Sequence, residues 1–232
     1  MLVGLTVCRA KPRHQAIGAV LVALVMVFAG CASAEPAIDS SGLASDARLA
    51  TSISALFQQS LDNNGADYLG PLTEQEQQIL ERAVAVGSIS AADYEAAYGS
   101  FIECVRQHGV DPPMQKSANG VYRPVPYDST KVPFTQDQYT QAVTVCQPIY
   151  DAVYQLYAIQ QSNPGLYADQ DDAAVGCLRY RGIVDATYSV DQFRQDVAGG
   201  YQVSTGGYSF PFDVFDPAAN ACLAAAGYLY YM

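Results

Sequence analysis

The sequence predicts an all-α, mainly helical domain that is clipped by disulfides and carries two long loops. Helix-start signals precede several stretches whose apolar residues recur at helical spacing. A cysteine-containing helix ending occurs three times. Two segments rich in proline or aromatic residues lie between the helices, and they are longer than ordinary connections in a compact domain.

Each helix is predicted from a start signal, an apolar stripe or a stop signal. Apolar residues from Leu49 to Phe57 predict a first helix that ends near residues 63–65. Gly87 should end the second helix, and Pro148 should kink or split the long helix that ends at residues 163–165. Capping residues predict the other helix starts, at Thr73, Ser90, Thr135, Ser189 and Asp216.

A repeated motif predicts how three helices end. Cys-x4-Gly occurs at 104–109, 177–182 and 222–227, and an apolar residue follows each glycine. A left-handed glycine brings the next residue against the one five positions back, as in a Schellman ending. The echo suggests two degenerate modules, residues 72–160 and 166–232, within a single helical domain of residues 46–232.

Four cysteines beyond residue 31 indicate an oxidising compartment: Cys104, Cys146, Cys177 and Cys222. Four cysteines allow three pairings, and we expect Cys104–Cys146 and Cys177–Cys222 because each would join neighbouring elements. Each bridge would close a loop of about forty residues, worth about 4 kcal/mol. Zinc is the alternative, but it favours more histidine or a close cysteine pair, so we expect no metal and no cofactor.

The N-terminal residues have the pattern of an export signal. Three basic residues precede an uncharged apolar stretch at 16–30, which is shorter than the ~20 residues of a membrane-spanning helix. Cys31 follows Phe28-Ala29-Gly30, and this sequence resembles the lipobox of bacterial lipoproteins, whose cysteine receives diacylglycerol and becomes the new N-terminus. The resemblance implies a signal peptide at 1–30, a flexible tether at 31–45 and a lipid anchor on the extracytoplasmic side of the cell membrane. An ordinary cleaved signal is the alternative.

The charge of the chain excludes one class of partner. The sequence has 12 Lys+Arg and 23 Asp+Glu. Removal of residues 1–30 takes three basic groups, which leaves 9 against 23, a formal charge of −14. Nucleic-acid binding needs basic patches, so we expect no nucleic-acid partner.

A second resemblance covers about residues 72–148. The segments FIECVRQHGVDPP and FTQDQYTQAVTVCQP resemble parts of small secreted or lipid-anchored actinobacterial proteins that have no settled activity. The resemblance implies an extracytoplasmic compartment, a disulfide and a bacterial source. It carries over no catalytic residue.

Candidate catalytic and metal-binding residues have simpler structural explanations. His108 is the single histidine beyond the signal, and in a last helical turn it would interact favourably with the helix dipole. Asp169, Asp171 and Asp172 could suggest calcium, but the EF-type spacing also needs a glycine and a distal glutamate. A first helical turn explains the three aspartates better. We therefore expect neither catalytic nor metal-binding residues.

The two long loops are the predicted functional regions. One runs from Asp111 to Pro133, where Asn119-Gly120 could turn a hairpin. The other runs from Gly199 to Phe215, and we call it the aromatic loop. Its aromatic residues are candidates for a binding surface, with local packing onto the helices as the alternative: Tyr201, Tyr208, Phe210, Phe212 and Phe215.

These observations predict a non-catalytic binding or structural module of the bacterial envelope. Its partner could be an envelope protein, a peptide or a glycan. The alternative is an envelope hydrolase that uses paired carboxylates, which needs no histidine. No carboxylate pair is marked out by the sequence.

Overall fold

The computed structural model describes residues 47–202 and 206–230. The expected signal peptide, Cys31 and the tether up to residue 45 lie outside the described residues. Within these ranges the chain forms eight α-helices and two small two-stranded sheets, so the predicted all-α class is confirmed.

The helices and strands are described in two halves of the chain. The first half contains α1 (Ile53–Asp62), α2 (Glu74–Val86), α3 (Ala91–Gln107), β1 (Met114–Lys116), β2 (Tyr122–Pro124), α4 (Gln136–Cys146) and α5 (Asp151–Ser162). The second half contains α6 (Gln170–Tyr180), α7 (Val190–Gly199), β3 (Tyr201–Gln202), β4 (Gly207–Tyr208) and α8 (Pro217–Ala225). Both strand pairs are antiparallel.

The predicted helix starts are confirmed by their capping hydrogen bonds. Thr73 and Thr135 each form a complete capping box, in which the third helical residue bonds back to the cap. Ser90, Ser189 and Asp216 accept hydrogen bonds from backbone N–H groups of the first turn. A 3-10 helix at Gln147–Ile149 separates α4 from α5, as Pro148 predicted.

The predicted start of the first helix was wrong. Ser52 caps α1 by accepting a hydrogen bond from the Ala55 N–H, so the helix begins at Ile53. Leu49 lies before it in a bend, and its N–H donates to the Leu166 carbonyl at 2.8 Å. The spacing of Leu49 matched a helix, but the capping serine sets the boundary.

The three Schellman endings are confirmed. Gly109, Gly182 and Gly227 have φ values of 77°, 68° and 88°. The residue after each glycine donates its N–H to the carbonyl five positions back, at 3.3, 3.0 and 2.8 Å. These endings place Cys104, Cys177 and Cys222 in the last two turns of α3, α6 and α8.

Both expected disulfides are present. Cys104 is bonded to Cys146, and Cys177 is bonded to Cys222, with Cα–Cα distances of 5.7 and 5.6 Å. The first bridge joins α3 to α4 and the second joins α6 to α8. Each therefore lies within one half of the chain.

Two clusters of buried apolar residues organise the helices. The first core contains buried residues between Leu56 and Leu166, from α1 to α5 and the β1–β2 hairpin. The second core is smaller and contains buried residues between Ala174 and Ala226, from α6 to α8 and the aromatic loop. Helix α5 contacts both α6 and α8, so it lies where the two cores adjoin.

Within residues 47–202 and 206–230, none of the helices combines the length and the hydrophobicity that a transmembrane span requires.

Candidate functional site

A stack of tyrosines holds the β1–β2 hairpin against the helices. The Tyr94 ring lies 4.1 Å from the Tyr157 ring, and the Tyr98 ring lies 3.8 Å from the Tyr122 ring. The Tyr122 N–H also donates to the Tyr94 hydroxyl oxygen at 2.9 Å. Burial raises the pKa of Tyr94, and burial also raises the pKa of Tyr98 to about 12. The stack therefore fixes strand β2 on α3 and α5.

The hairpin turn is tied to the end of α5. Asn119 and Gly120 form the turn, as predicted, and Gly120 has a φ of 84° that favours glycine. The buried Asn119 side chain donates to Ser162 Oγ at 2.8 Å and accepts from the Val121 N–H at 3.2 Å. The predicted loop is therefore a positioned structure and not a loose connection.

The aromatic loop divides into inner and outer residues. Phe210 is buried in the second core, 5.8 Å from the Phe193 ring, and Phe212 is half-buried beside it. This inner pair adopts the local packing that the sequence analysis kept as an alternative. Tyr201 and Tyr208 lie further out, and Tyr201 is 56% exposed.

The outer aromatic residues continue onto the C-terminal segment. The Tyr208 ring lies 4.8 Å from the Tyr230 ring and 6.0 Å from the Phe215 ring, in edge-to-face geometry. Tyr208, Phe215 and Tyr230 are all half-buried. They form a continuous aromatic strip at the edge of the second core.

The two predicted loops meet at a groove, which we call the hairpin groove. Its volume is about 360 Å³. The β1–β2 hairpin forms one wall, and the end of the aromatic loop, α8 and the C-terminal segment form the other. The principal side chains are Gln115, Lys116 and Arg123 on the first wall and Phe215, Asn220 and Tyr230 on the second.

Asn220 joins the two walls of the hairpin groove. Its Oδ1 accepts a hydrogen bond from Arg123 Nη2, and its Nδ2 donates to the carbonyls of Val214 and Tyr230, both at 3.0 Å. Asn220 is buried, at 5% exposure. Its side chain therefore connects the hairpin, the aromatic loop and the C-terminal segment.

The two cationic side chains of the hairpin groove differ in their partners. Lys116 Nζ contacts the Glu95 carboxylate, and this hydrogen bond raises the pKa of Lys116. Arg123 has no carboxylate within 4.0 Å among the described residues. Its Nε and Nη1 atoms are buried and have no hydrogen-bond partner in the described structure.

A second cavity adjoins the hairpin groove, and we call it the inter-helix cleft. Its volume is about 410 Å³. It lies between α5 and α8, below the hairpin, and Ser117 and Arg123 line both cavities. Its other walls are mainly apolar, with Ala158 and Ile159 on α5, Ala221, Ala224 and Ala225 on α8, and Leu229 beyond it.

The largest cavity described lies elsewhere and contains neither predicted loop. It has a volume of about 580 Å³ and lies between the segment before α1 and the turn after α5. No acidic, histidine or aromatic side chain is among the residues that line it. Arg48 at its edge is stacked on the Tyr167 ring at 3.8 Å. Volume alone therefore does not identify the functional site.

The three aspartates lie at the start of α6, as predicted. Asp169 is the N-cap and accepts from the N–H groups of Asp171 and Asp172 at 2.9 and 3.0 Å. Arg194 pairs with Asp169 and Asp171, and the Tyr228 hydroxyl donates to Asp171. Capping and ion pairing thus account for the cluster.

His108 is the C-cap of α3 and is exposed. One of its ring nitrogens lies within 4.8 Å of the sulfur atoms of Cys104 and Cys146. Those sulfur atoms are bonded to each other, and a metal would need them as thiolates. The cluster therefore functions as a disulfide beside a helix end.

Glu76 and Asp151 are the buried carboxylates of the described residues. Glu76 accepts from Thr73 and from the Ala152 N–H at 3.1 Å. Asp151 accepts from the Leu69 N–H at 3.1 Å and from two glutamine side chains. Both carboxylates are at most 2% exposed. Their hydrogen bonds give them structural roles at the starts of α2 and α5.

The comparisons with known proteins do not assign a family. No protein-family model, no curated protein and no solved structure matched the chain.

Sequence reasoning singled out only Phe215 of the six principal side chains of the hairpin groove. Gln115, Lys116, Arg123, Asn220 and Tyr230 were missed, although the first three lie within the predicted Asp111–Pro133 loop. The only local signal was a basic residue among aromatic residues and prolines in Tyr122-Arg123-Pro124. Its partner Asn220 is 97 positions away, so no local pattern could connect them.

Proposed function

We propose that the protein is a lipid-anchored, non-catalytic binding module of a bacterial envelope, and that the hairpin groove contacts its partner. One observation carries this proposal. The β1–β2 hairpin of the predicted Asp111–Pro133 loop forms one wall of the groove, and Phe215, the last residue of the separately predicted aromatic loop, lies in the other wall with α8 and Tyr230. Functional residues are often carried by loops that a rigid scaffold positions.

The side chains of the hairpin groove suit recognition. Phe215 and Tyr230 provide rigid aromatic surface, and Gln115 and Asn220 provide amide groups. No carboxylate and no histidine is among the described residues that line the groove. General acid–base catalysis would need such groups within hydrogen-bond reach of a substrate, so binding is favoured over hydrolysis.

The disulfides support an extracytoplasmic location. Disulfides persist in oxidising compartments and are rare in the reducing cytosol. The placement of Cys31 directly after Phe28-Ala29-Gly30 supports a lipid anchor there. A peptide, a glycan or an envelope protein is the expected class of partner. Direct contact with nucleic acid is not expected.

Cross-linking on living cells tests the binding role. The double variant Phe215→Ala/Tyr230→Ala should lose at least nine tenths of the partner captured by the wild type. Tyr180→Ala is the matched control, because Tyr180 is 73% exposed and lies outside both cavities. Capture that is equal in all three proteins would contradict the proposed surface.

The anchor has its own test. Mass spectrometry of the mature N-terminus should identify Cys31 with its acyl chains attached. Two chains give stable anchoring where one is marginal, at ~0.8 kcal/mol per buried methylene. A mature protein with an unmodified N-terminus elsewhere would overturn the anchor and leave the binding role to the cross-linking test.

A further inference from the structure

Arg123 is the feature that the proposed function leaves unexplained. It lines both the hairpin groove and the inter-helix cleft. Within residues 47–202 and 206–230, its Nε and Nη1 are the buried side-chain atoms that lack a hydrogen-bond partner. A buried unpaired donor destabilises a fold, and the penalty is larger when the group is charged. Such an arrangement persists at functional sites.

The missing partner of Arg123 should be an anion. The guanidinium is always charged and matches carboxylate geometry closely. The chain is rich in carboxylates, yet none of the described ones is within 4.0 Å of Arg123. Asn220 supplies one neutral oxygen, to Nη2. Nε and Nη1 are unpaired but buried, so the Arg123 side chain must turn toward the cleft for a ligand acceptor to reach them.

The inter-helix cleft indicates the rest of the ligand. Its α8 wall consists of alanines, which allow α5 and α8 to approach and still leave space between them. Ile159 adds apolar surface, and Leu229 is 55% exposed at the cleft. At about 410 Å³ the cleft is within the usual size range of small-molecule sites.

We propose that the cleft binds a fatty-acid-like ligand, with its carboxylate on Arg123 and its apolar chain between α5 and α8. This inference rests on the proposed function, because it names a ligand class for the same binding module. An acidic sugar fits less well, since its hydroxyl groups would lose hydrogen bonds with water against alanine and leucine side chains. A hydrocarbon chain would instead remove Leu229 from water.

Isothermal titration tests the ligand class. The full chain is placed in phosphatidylcholine vesicles and titrated with octanoate, and vesicles without protein provide the background. Octanamide tests the need for the charge, and glucuronate tests the need for the apolar chain. Octanoate should bind at least tenfold more tightly than either.

Two variants test the placement. Arg123→Gln should weaken octanoate binding at least tenfold and leave octanamide binding unchanged. Ala224→Leu should block octanoate by filling the cleft while Arg123 remains in place. Arg181→Gln is the matched control, because this substitution removes the same charge at an exposed position outside both cavities.

Three results would overturn the inference. The first is a heat of octanoate titration no larger than that of empty vesicles. The second is binding of octanamide or glucuronate as tight as that of octanoate, and the third is full octanoate binding by Arg123→Gln. A failure of the ligand class can be distinguished from a failure of the proposed function. Partner capture that is lost in Phe215→Ala/Tyr230→Ala but kept in Arg123→Gln, without octanoate binding, would leave the binding module standing and remove only the ligand class.

Discussion

The two cores of the molecule are stabilised by different means. The first core is large, includes the tyrosine stack and encloses the hydrogen-bonded Glu76, Asp151 and Asn119 side chains. The second core is smaller, and Asn220 is its only buried polar residue among those described. Both have one disulfide of similar loop length, with separations of 42 and 45 residues.

Two disulfides that close loops of similar length therefore differ in how much the order of their cores depends on them. Hydrophobic stabilisation scales with the apolar area removed from water, at about 25 cal/mol per Å². The first core can lose its bridge and still retain a large apolar interior. The second core has less apolar area to compensate for the entropy of its ordered residues, so it depends more on the covalent bond.

Removal of each disulfide in turn should give the largest difference in behaviour between the two cores. The double variants Cys177→Ala/Cys222→Ala and Cys104→Ala/Cys146→Ala should each lose about 4 kcal/mol in the chain-entropy model. Amide hydrogen exchange should then show the second core opening on its own in the first variant. In the second variant, the amides of α2 and α5 should stay protected. Persistent protection of α6 and α8 without the Cys177–Cys222 bond would remove the contrast.

Loss of a buried carboxylate should affect the first core by a smaller amount. Glu76→Ala leaves the buried Ala152 N–H without its acceptor, and we expect a loss of about 3 kcal/mol in the free energy of unfolding. Gln138 occupies the same capping-box position in α4 but is exposed, so Gln138→Ala should cost about 1 kcal/mol. Urea unfolding measures both variants, and equal losses would show that burial of Glu76 adds nothing.

Alkaline pH should produce the smallest effect. Burial raises the pKa of Tyr94 and Tyr150, and it raises the pKa of Tyr98 to about 12 from an ordinary value of 10.0. The fold favours the protonated phenols, so their contribution to stability is complete below pH 10.0 and is lost as the pH rises through the folded-state pKa. Unfolding measured between these pH values should be less pH-dependent in Tyr98→Phe than in the wild type. Identical pH dependence would contradict this role for Tyr98.

Local signals explain why much of the fold was predictable. A capping box spans four residues, and the Schellman ending spans six, so Thr73 and Gly109 show their roles within a short stretch of sequence. The disulfide pairing was predicted because each bridge would join neighbouring elements, and both expected bonds are present. Leu49 shows the limit, since its spacing matched a helix that begins only at Ile53, after the Ser52 cap.

The site depended on contacts that are distant in sequence. The aromatic loop was identified, but its composition could not distinguish the buried Phe210 from the exposed Tyr201. That division depends on Phe193, a residue of α7 that packs against Phe210. Likewise, Arg123 became a candidate only when α8 brought Asn220 beside it and left its other donors unpaired.

The hairpin turn also bears on the chemical lifetime of the protein. An asparagine that precedes glycine is prone to deamidation, because the next backbone nitrogen easily attacks the side-chain amide. Here the Asn119 amide is held by hydrogen bonds to Ser162 and to the Val121 N–H, which restrain its side chain. Deamidation would place a negative charge in this buried turn and would release the strand that carries Arg123. An aged sample should therefore lose the octanoate binding proposed for Arg123 before its helix content changes.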